Sequence, residues 1–505
     1  MYFGAFRWRL TIVMDVSAAV RPDLRTLVAL HLQRTAEEID APLVPLAGRL
    51  PEGLDCVWWR NGPGRFERGG VSYGHPFDGD GFLVRFDLCA TEARVRTRFV
   101  QTPEFLEEER ADKILYRGFG TERPGGVASN MMRLHFKNAA NTSVMWHAGS
   151  LHALWEGGAP PRIDPTTLET LGRDDLGGSL HGRGLTPPTF SAHPRRDDRT
   201  QTLYNFGLRW GLRQRLLIYA IDANGVTRVE RSIPLDGLTF IHDFTVTPNW
   251  FVFLLPAVRF DVMKMALGLT TPMGSLRSQT TRAMTALLVP RNGGAPITIA
   301  TVPGFVFHQA GAFEDAQGRV VCDVMKLEKI PELDLDHLET LFEPSSTDGC
   351  AVPVRLILDP RSRVMVEARQ LASIPTELPI TARSDGYPYR SFWATAASPG
   401  CQQPYHSSLV RIEPERGVVA RCELFPAVPS EPGFVRRPDA RHAEDGWILT
   451  VVHRPGAAAE LWILDAESLA VEARFGLPIP LPPGLHGCVA DRGVDRVAHS
   501  EPRAA

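Results

Sequence analysis

The 505-residue chain has no run of the roughly 20 apolar residues that a membrane-spanning helix needs. Cysteine is sparse. Cys56, Cys89, Cys322, Cys350, Cys401, Cys422 and Cys488 are odd in number, scattered and without a CxxC pair. That pattern fits a reduced, cytoplasmic compartment. No basic stretch dominates and the formal net charge is −3, so nucleic acid is not expected as a partner. The opening residues, MYFGAFRWRLTIVM, carry no convincing signal-peptide cleavage site, and Met14 is an alternative start.

Glycine and proline, in contrast, are abundant, as a turn-rich all-β protein requires. One element recurs seven times: an apolar strand, usually an acidic residue, a turn and a second strand. Asp87, Asp164, Asp222, Asp359, Glu413 and Asp465 mark six copies, and Pro290 takes the acidic place in a seventh. Their mean spacing is about 63 residues, longer than the roughly 40–50 of a four-stranded blade. The spacing predicts an all-β, seven-bladed β-propeller, with long loops and short helices forming a cap over one face. The competing architecture is an irregular β-sandwich. Residues 1–40 are expected as an N-terminal extension with a short helix, and 41–505 as the propeller.

That helix is placed at 21–39, where Leu24, Leu27, Val28 and Leu32 share a face and Asp23 stands near the start. It would pack on the propeller or touch a membrane. Asp78 and Asp80 in HPFDGDGF lack EF-hand spacing and its closing Glu, so a tight hydrogen-bonded turn is expected there rather than a calcium loop. SLHALWE reads as an inner strand ending at Glu156, whose carboxylate would need a partner if buried. Residues 254–276 break the strand rhythm with Val262, Met263, Met265, Leu267, Leu269 and Met273. They form either a lid packed on the core or an exposed patch for an apolar substrate or a membrane surface.

A second recurring plan carries the chemistry. FIHDFTVTPNWFVF, FSAHPRRDDRTQTLYNF and FVFHQAGAFEDAQGRVVCDV each place a histidine before a strand, a turn and another strand: His242, His193 and His308. His486 lies where a closing innermost strand would begin. Four imidazoles from four blades meeting on an axis would hold a metal. No cysteine cluster supports structural zinc. Imidazoles suit iron, copper and nickel, and an all-imidazole set with open positions suits Fe(II) and dioxygen. Ligating histidines commonly donate their other N–H to a carboxylate or carbonyl. Glu156, at the end of its apolar strand, and Glu377 and Glu431, each flanked by apolar residues and proline, are candidates for that role, with ordinary solvated glutamates as the alternative.

With these residues in place, the chain resembles the carotenoid cleavage oxygenases over roughly 40–490. The matching motifs are RNGPGRF, FDGDGF, NTS, LWEGGAPPRIDPTTLETLG, SAHPR, FIHDFTVTPNW, FHQAGAFED, TELP, SEPGFV and LHG. The resemblance implies a seven-bladed propeller with Fe(2+) held by His193, His242, His308 and His486. It implies that Glu156, Glu377 and Glu431 orient His242, His308 and His486, leaving His193 without a carboxylate. It places Thr142 where a methyl crowds an open coordination position. The implied reaction is oxidative cleavage of a C=C bond by dioxygen, giving two carbonyl products without an organic cofactor. LWEGG, DLGG and VRF…ALGL look most like the bacterial apocarotenoid 15,15′-oxygenases, which make retinal-type aldehydes. Stilbene-cleaving members carry a phenol-binding lysine where this chain has Trp155. An apocarotenoid polyene is therefore the expected substrate, with stilbene cleavage as the alternative. Such a substrate would draw the cap, through 254–276, into peripheral contact with a membrane. The rival of another class is a propeller that serves only as a binding scaffold.

Overall fold

A computed structural model describes residues 35–180, 189–210, 213–279, 281–329, 350–383, 385–398, 406–454 and 457–492. Seven sheets follow one another around an axis. Blade 1 takes its innermost strand, Gly487–Asp491, from late in the chain. Its next strands, Cys56–Pro63, Gly81–Cys89 and Glu92–Phe99, come from early in it. This antiparallel joint closes the ring, which removes exposed sheet edges at the seam. Blade 2 runs outward from Ser143–His147, blade 3 from Arg195–Asp197, and blade 4 from Phe244–Val246. Blades 5, 6 and 7 start from Phe305–Glu314, Thr376–Ile380 and Gly433–Arg436.

Blade packing explains the sequence pattern. Strands near the axis lie between two neighbouring blades and are buried on both faces, as Cys56–Pro63 and Gly446–His453 are along their whole length. Outer strands such as Val364–Gln370 alternate between exposed and half-buried residues. All seven counted hairpins are the outer hairpins of the seven blades. The acidic residue has a local reason in several of them. Asp164 accepts the N–H groups of Thr166 and Thr167, Asp222 those of Asn224 and Val226, Asp359 that of Arg361, and Asp465 that of Ser468. A carboxylate at the turn satisfies backbone donors that no strand can reach.

Two expectations need correction. Ser150–Leu154 is the second strand of blade 2, and Ser143–His147 is the inner one. Burial on both faces makes either strand apolar, so periodicity does not rank them. The helix expected at 21–39 falls mostly outside the described residues, and its described part, 35–39, is not helical. There Ala36 N–H donates to the Gly64 carbonyl at 2.7 Å, and Ile39 N–H donates to Thr97 Oγ1 at 2.9 Å, before Asp40–Pro42 pairs with blade 1.

The Asp78–Asp80 turn is as expected. Asp78 accepts from Phe119 N, Gly120 N and Thr121 Oγ1, and Asp80 faces Arg68 and Lys137. The segment after residue 254 folds as a small hairpin, Val258–Phe260 with Leu276–Ser278, enclosing the short helices Val262–Ala266 and Pro272–Ser275. No described helix is long and apolar enough to cross a membrane.

Candidate metal centre and its cavity

Each blade carries a residue of this site at or near the start of its inner strand. In blade order from 1 to 7 these are His486, Thr142, His193, His242, His308, Glu377 and Glu431. The ring alternation of the fold thus brings together all four histidines named from sequence. Their potential ligand atoms lie within 4.8 Å of one another. The Nε2 atoms of His193 and His242 are 2.9 Å apart, those of His242 and His308 3.3 Å, and those of His308 and His486 3.2 Å. Imidazole nitrogens at about 2.1 Å from one metal ion stand at separations of this size.

The outer nitrogens settle what faces inward. His308 Nδ1–H donates to Glu377 Oε2 at 2.6 Å and His486 Nδ1–H to Glu431 Oε1 at 2.7 Å. Glu156 Oε1 lies 2.5 Å from His242 Nδ1. With Nδ1 holding the proton, Nε2 presents a lone pair. Converging lone pairs repel unless a cation lies between them, so the donor set fits a metal ion. No carboxylate contacts His193 among the described residues.

Electrostatics agree with this arrangement. Burial and the neighbouring imidazoles hold His193 well below the usual histidine range. Burial also lowers His486, against the opposing pull of Glu431. In His308 burial is outweighed by the Glu377 carboxylate, which raises its pKa. Burial pushes the Glu156 and Glu431 carboxyls up, but His242 and His486 outweigh it and leave both below the ordinary range. These carboxylates stay charged where a lone buried one would not.

The RNGPGRF motif holds one side of the ring. Arg60, fully buried, donates to the Glu431 carbonyl at 2.7 Å and to the Leu485 carbonyl at 3.1 Å. Asn61 Nδ2 donates to the carbonyls of Ala140 and Ser143. Thr142 is buried, and its hydroxyl donates to Asn141 Oδ1 at 3.1 Å.

Above the ring opens a cavity of about 1560 Å³. Trp155, Phe77, Phe119, Phe240, Phe305 and Phe307 supply much of its wall. A Cβ on Gly157 would meet the Trp155 ring at 2.3 Å, so LWEGG needs glycine there for the indole to lie against the chain. The cap helices reach the same cavity through Val262, Met265 and Met273.

Sequence reasoning missed part of this wall. Phe240 stacks with the His242 ring at 6.1 Å, and Phe307 meets it edge-on at 5.3 Å. Their signal was the repeated Phe two residues, or one, before a ligand-type histidine. His406 also lines the cavity, with Nδ1 2.9 Å from Thr395 Oγ1 and burial pushing its pKa down to about 4. No repeat marked it among fifteen histidines.

Fold and site together define a class: a propeller that presents a cluster of four imidazoles, fit to hold a metal ion, to an apolar cavity. Residues 32–490 match the family model described as retinal pigment epithelial membrane protein. The chain belongs to this family, the carotenoid oxygenases, dioxygenases that cleave C=C bonds. It is 32% identical over 472 residues to the apocarotenoid-15,15′-oxygenase of Synechocystis sp., covering 90% of this chain and 94% of that protein. It is 28% identical over 484 residues to resveratrol cleavage oxygenase 1 of Aspergillus fumigatus, covering 90% and 93%. Among solved structures, cobalt-substituted Synechocystis ACO superposes with a TM-score of 0.86 at 30% identity, covering 93% of this chain and 99% of that one.

Proposed function

We propose that this chain is an Fe(II) dioxygenase that cleaves an apocarotenoid near its central double bond, giving two carbonyl products of retinal type. The observation that carries the proposal is the set of four converging Nε2 atoms at the floor of an aromatic cavity. His193, His242, His308 and His486 would hold the metal, and Glu156, Glu377 and Glu431 would fix the last three rings. Bound Fe(II) would supply activation of dioxygen, both atoms of which end in the two new carbonyl groups.

The protein's part is binding, alignment and exclusion of water. Trp155, Phe240 and Phe307 form flat apolar walls suited to a conjugated chain. Thr142, with its hydroxyl turned to Asn141, narrows the space beside the ring. Trp155 has only an indole N–H donor and no charge to hold a phenolate, which favours a polyene over a hydroxystilbene.

A polyene of this kind is held in membranes or micelles, and the cap suits that source. Met263 is 70% exposed, Leu269 56% and Met132 67%, with Val127, Met131, Val262 and Leu267 also exposed. Arg117 donates to the carbonyls of Asn130, Arg133, Met265 and Thr270, tying the two cap segments into one surface. We assign this surface to peripheral membrane contact. The test of function is a paired assay of an apocarotenal and a hydroxystilbene with iron-loaded protein. Faster turnover of the apocarotenal is expected, and faster turnover of the stilbene would overturn the substrate assignment.

A further inference from the structure

His193 stands apart from the other three imidazoles because no carboxylate contacts it among the described residues. Something else must fix its position, since ligand atoms need placement within about 0.2 Å. Two residues on, Arg195 opens the inner strand of blade 3, Arg195–Asp197. Its Nη2 donates to both oxygens of Asp243, at 2.8 and 2.6 Å, and to the Gln309 carbonyl at 2.9 Å. Its Nη1 lies 3.7 Å from Asp385 Oδ1. Asp243 in turn accepts the N–H of Gln309 at 2.8 Å and that of Phe244 at 2.7 Å.

Asp243 directly follows His242, and Gln309 directly follows His308. One guanidinium therefore joins the inner strands of blades 3, 4 and 5 next to three of the four imidazoles. Asp243 is 5% exposed, and its carboxylate accepts from Arg195 Nη2 and from the Phe244 and Gln309 N–H groups. On the other side of the ring, Arg60 and Asn61 bind the strand ends at Thr142, Glu431 and His486. Asp385 is held by Val246 N–H at 3.0 Å and adds blade 6 to the network.

We propose that Arg195 and Asp243 are positioning residues that set where His193 stands relative to His242 and His308, taking the place of the carboxylate that His193 lacks. The inference rests on the metal reading above. Arginine suits the place because it offers two terminal nitrogens: Nη2 bonds Asp243 and the Gln309 carbonyl while Nη1 faces Asp385, whereas a lysine has one ammonium for both.

The test measures metal affinity by competition with a chelator, and the visible spectrum of the cobalt(II)-loaded protein, for wild type, Arg195→Gln, Asp243→Asn, Arg195→Lys and the Gln/Asn double variant. Thermal melting of each metal-free protein reports the fold. The expected result is a loss of affinity on the order of 10–100-fold in each neutral variant, with altered cobalt bands. The double variant should be no worse than either single one, because the two side chains act as one unit. Arg195→Lys should recover part of the affinity.

Wild-type affinity and bands in variants that only melt earlier would overturn the proposal, reducing the pair to a fastener between blades. If Arg195→Gln does not fold, Asp243→Asn, which keeps the side chain's shape, decides by the same readouts. A wild-type protein that binds no metal would instead refute the metal reading itself, and the two failures are thus distinct.

Discussion

The axial ring and the cap share one cavity but are built on opposite terms. The ring comes from the repeat: seven blades, each contributing a residue at or near the start of its inner strand. Three of its imidazoles are matched to carboxylates at 2.5, 2.6 and 2.7 Å, and the neighbouring carbonyls are bound by Arg60, Asn61 and Arg195. The cap comes from insertions between strands and leaves Met263, Leu269 and Met132 in solvent. A buried charge without a partner is costly, whereas an exposed methionine costs little until an apolar partner covers it. The ring is therefore built for precise placement, and the cap for contact with something outside the molecule.

The sharpest break in this contrast is removal of a ligand. His242→Ala or His308→Ala should abolish both metal retention and turnover, read by metal analysis and product assay, while the propeller still folds. Loss of turnover with metal retained would separate that histidine from the metal. Next come the carboxylates. Glu156→Gln, Glu377→Gln and Glu431→Gln should each lower metal affinity or rate on the order of 10–100-fold. Glu431→Gln should show the clearest effect, because Glu431 accepts His486 Nδ1–H with one oxygen and Gly487 N–H with the other, whereas Glu377 accepts His308 Nδ1–H and Leu378 N–H with the same oxygen. Wild-type behaviour in all three would remove the glutamates from the site.

Between ring and cap stands Trp155. Trp155→Ala should lower polyene kcat/KM on the order of tenfold and leave metal content near wild type. Equal losses of metal and turnover would place the indole's role in the fold instead. The smallest effect in solution is expected from the cap. Replacing Met263, Leu267 and Leu269 by Ser should weaken liposome binding and turnover of membrane-held substrate, and leave turnover of detergent-dispersed substrate within about twofold of wild type. Unchanged liposome binding would remove the membrane from the account.

What the sequence disclosed follows the same division. The blades were legible because the outer hairpins repeat a local need, a carboxylate at Asp164, Asp222, Asp359 or Asp465 that binds turn N–H groups. The four histidines were legible because three share a template and the fourth opens the closing strand. Glu156 was found by its place at the end of an apolar strand and by its family motif, but its strand was assigned one place too far inward. Arg195 and Asp243 escaped notice: a charged pair next to two histidines looks like any solvent-facing turn until the inner strands are brought together. Phe240 and Phe307 were visible only as two more phenylalanines. The cap's apolar residues were evident, but whether they packed inward or faced solvent depends on Arg117 and its carbonyls, contacts between segments far apart in the chain.

The most direct test of the central claim is to load metal-free protein with Fe(II) in anaerobic steps, and to measure bound iron and then apocarotenal cleavage in air on an aliquot from each step. Cleavage should be absent at the start, rise in proportion to bound iron and stop rising at about one ion per chain, the capacity of a single four-imidazole site. Full cleavage by the metal-free protein, or a rise that continues well past one ion per chain, would contradict the account.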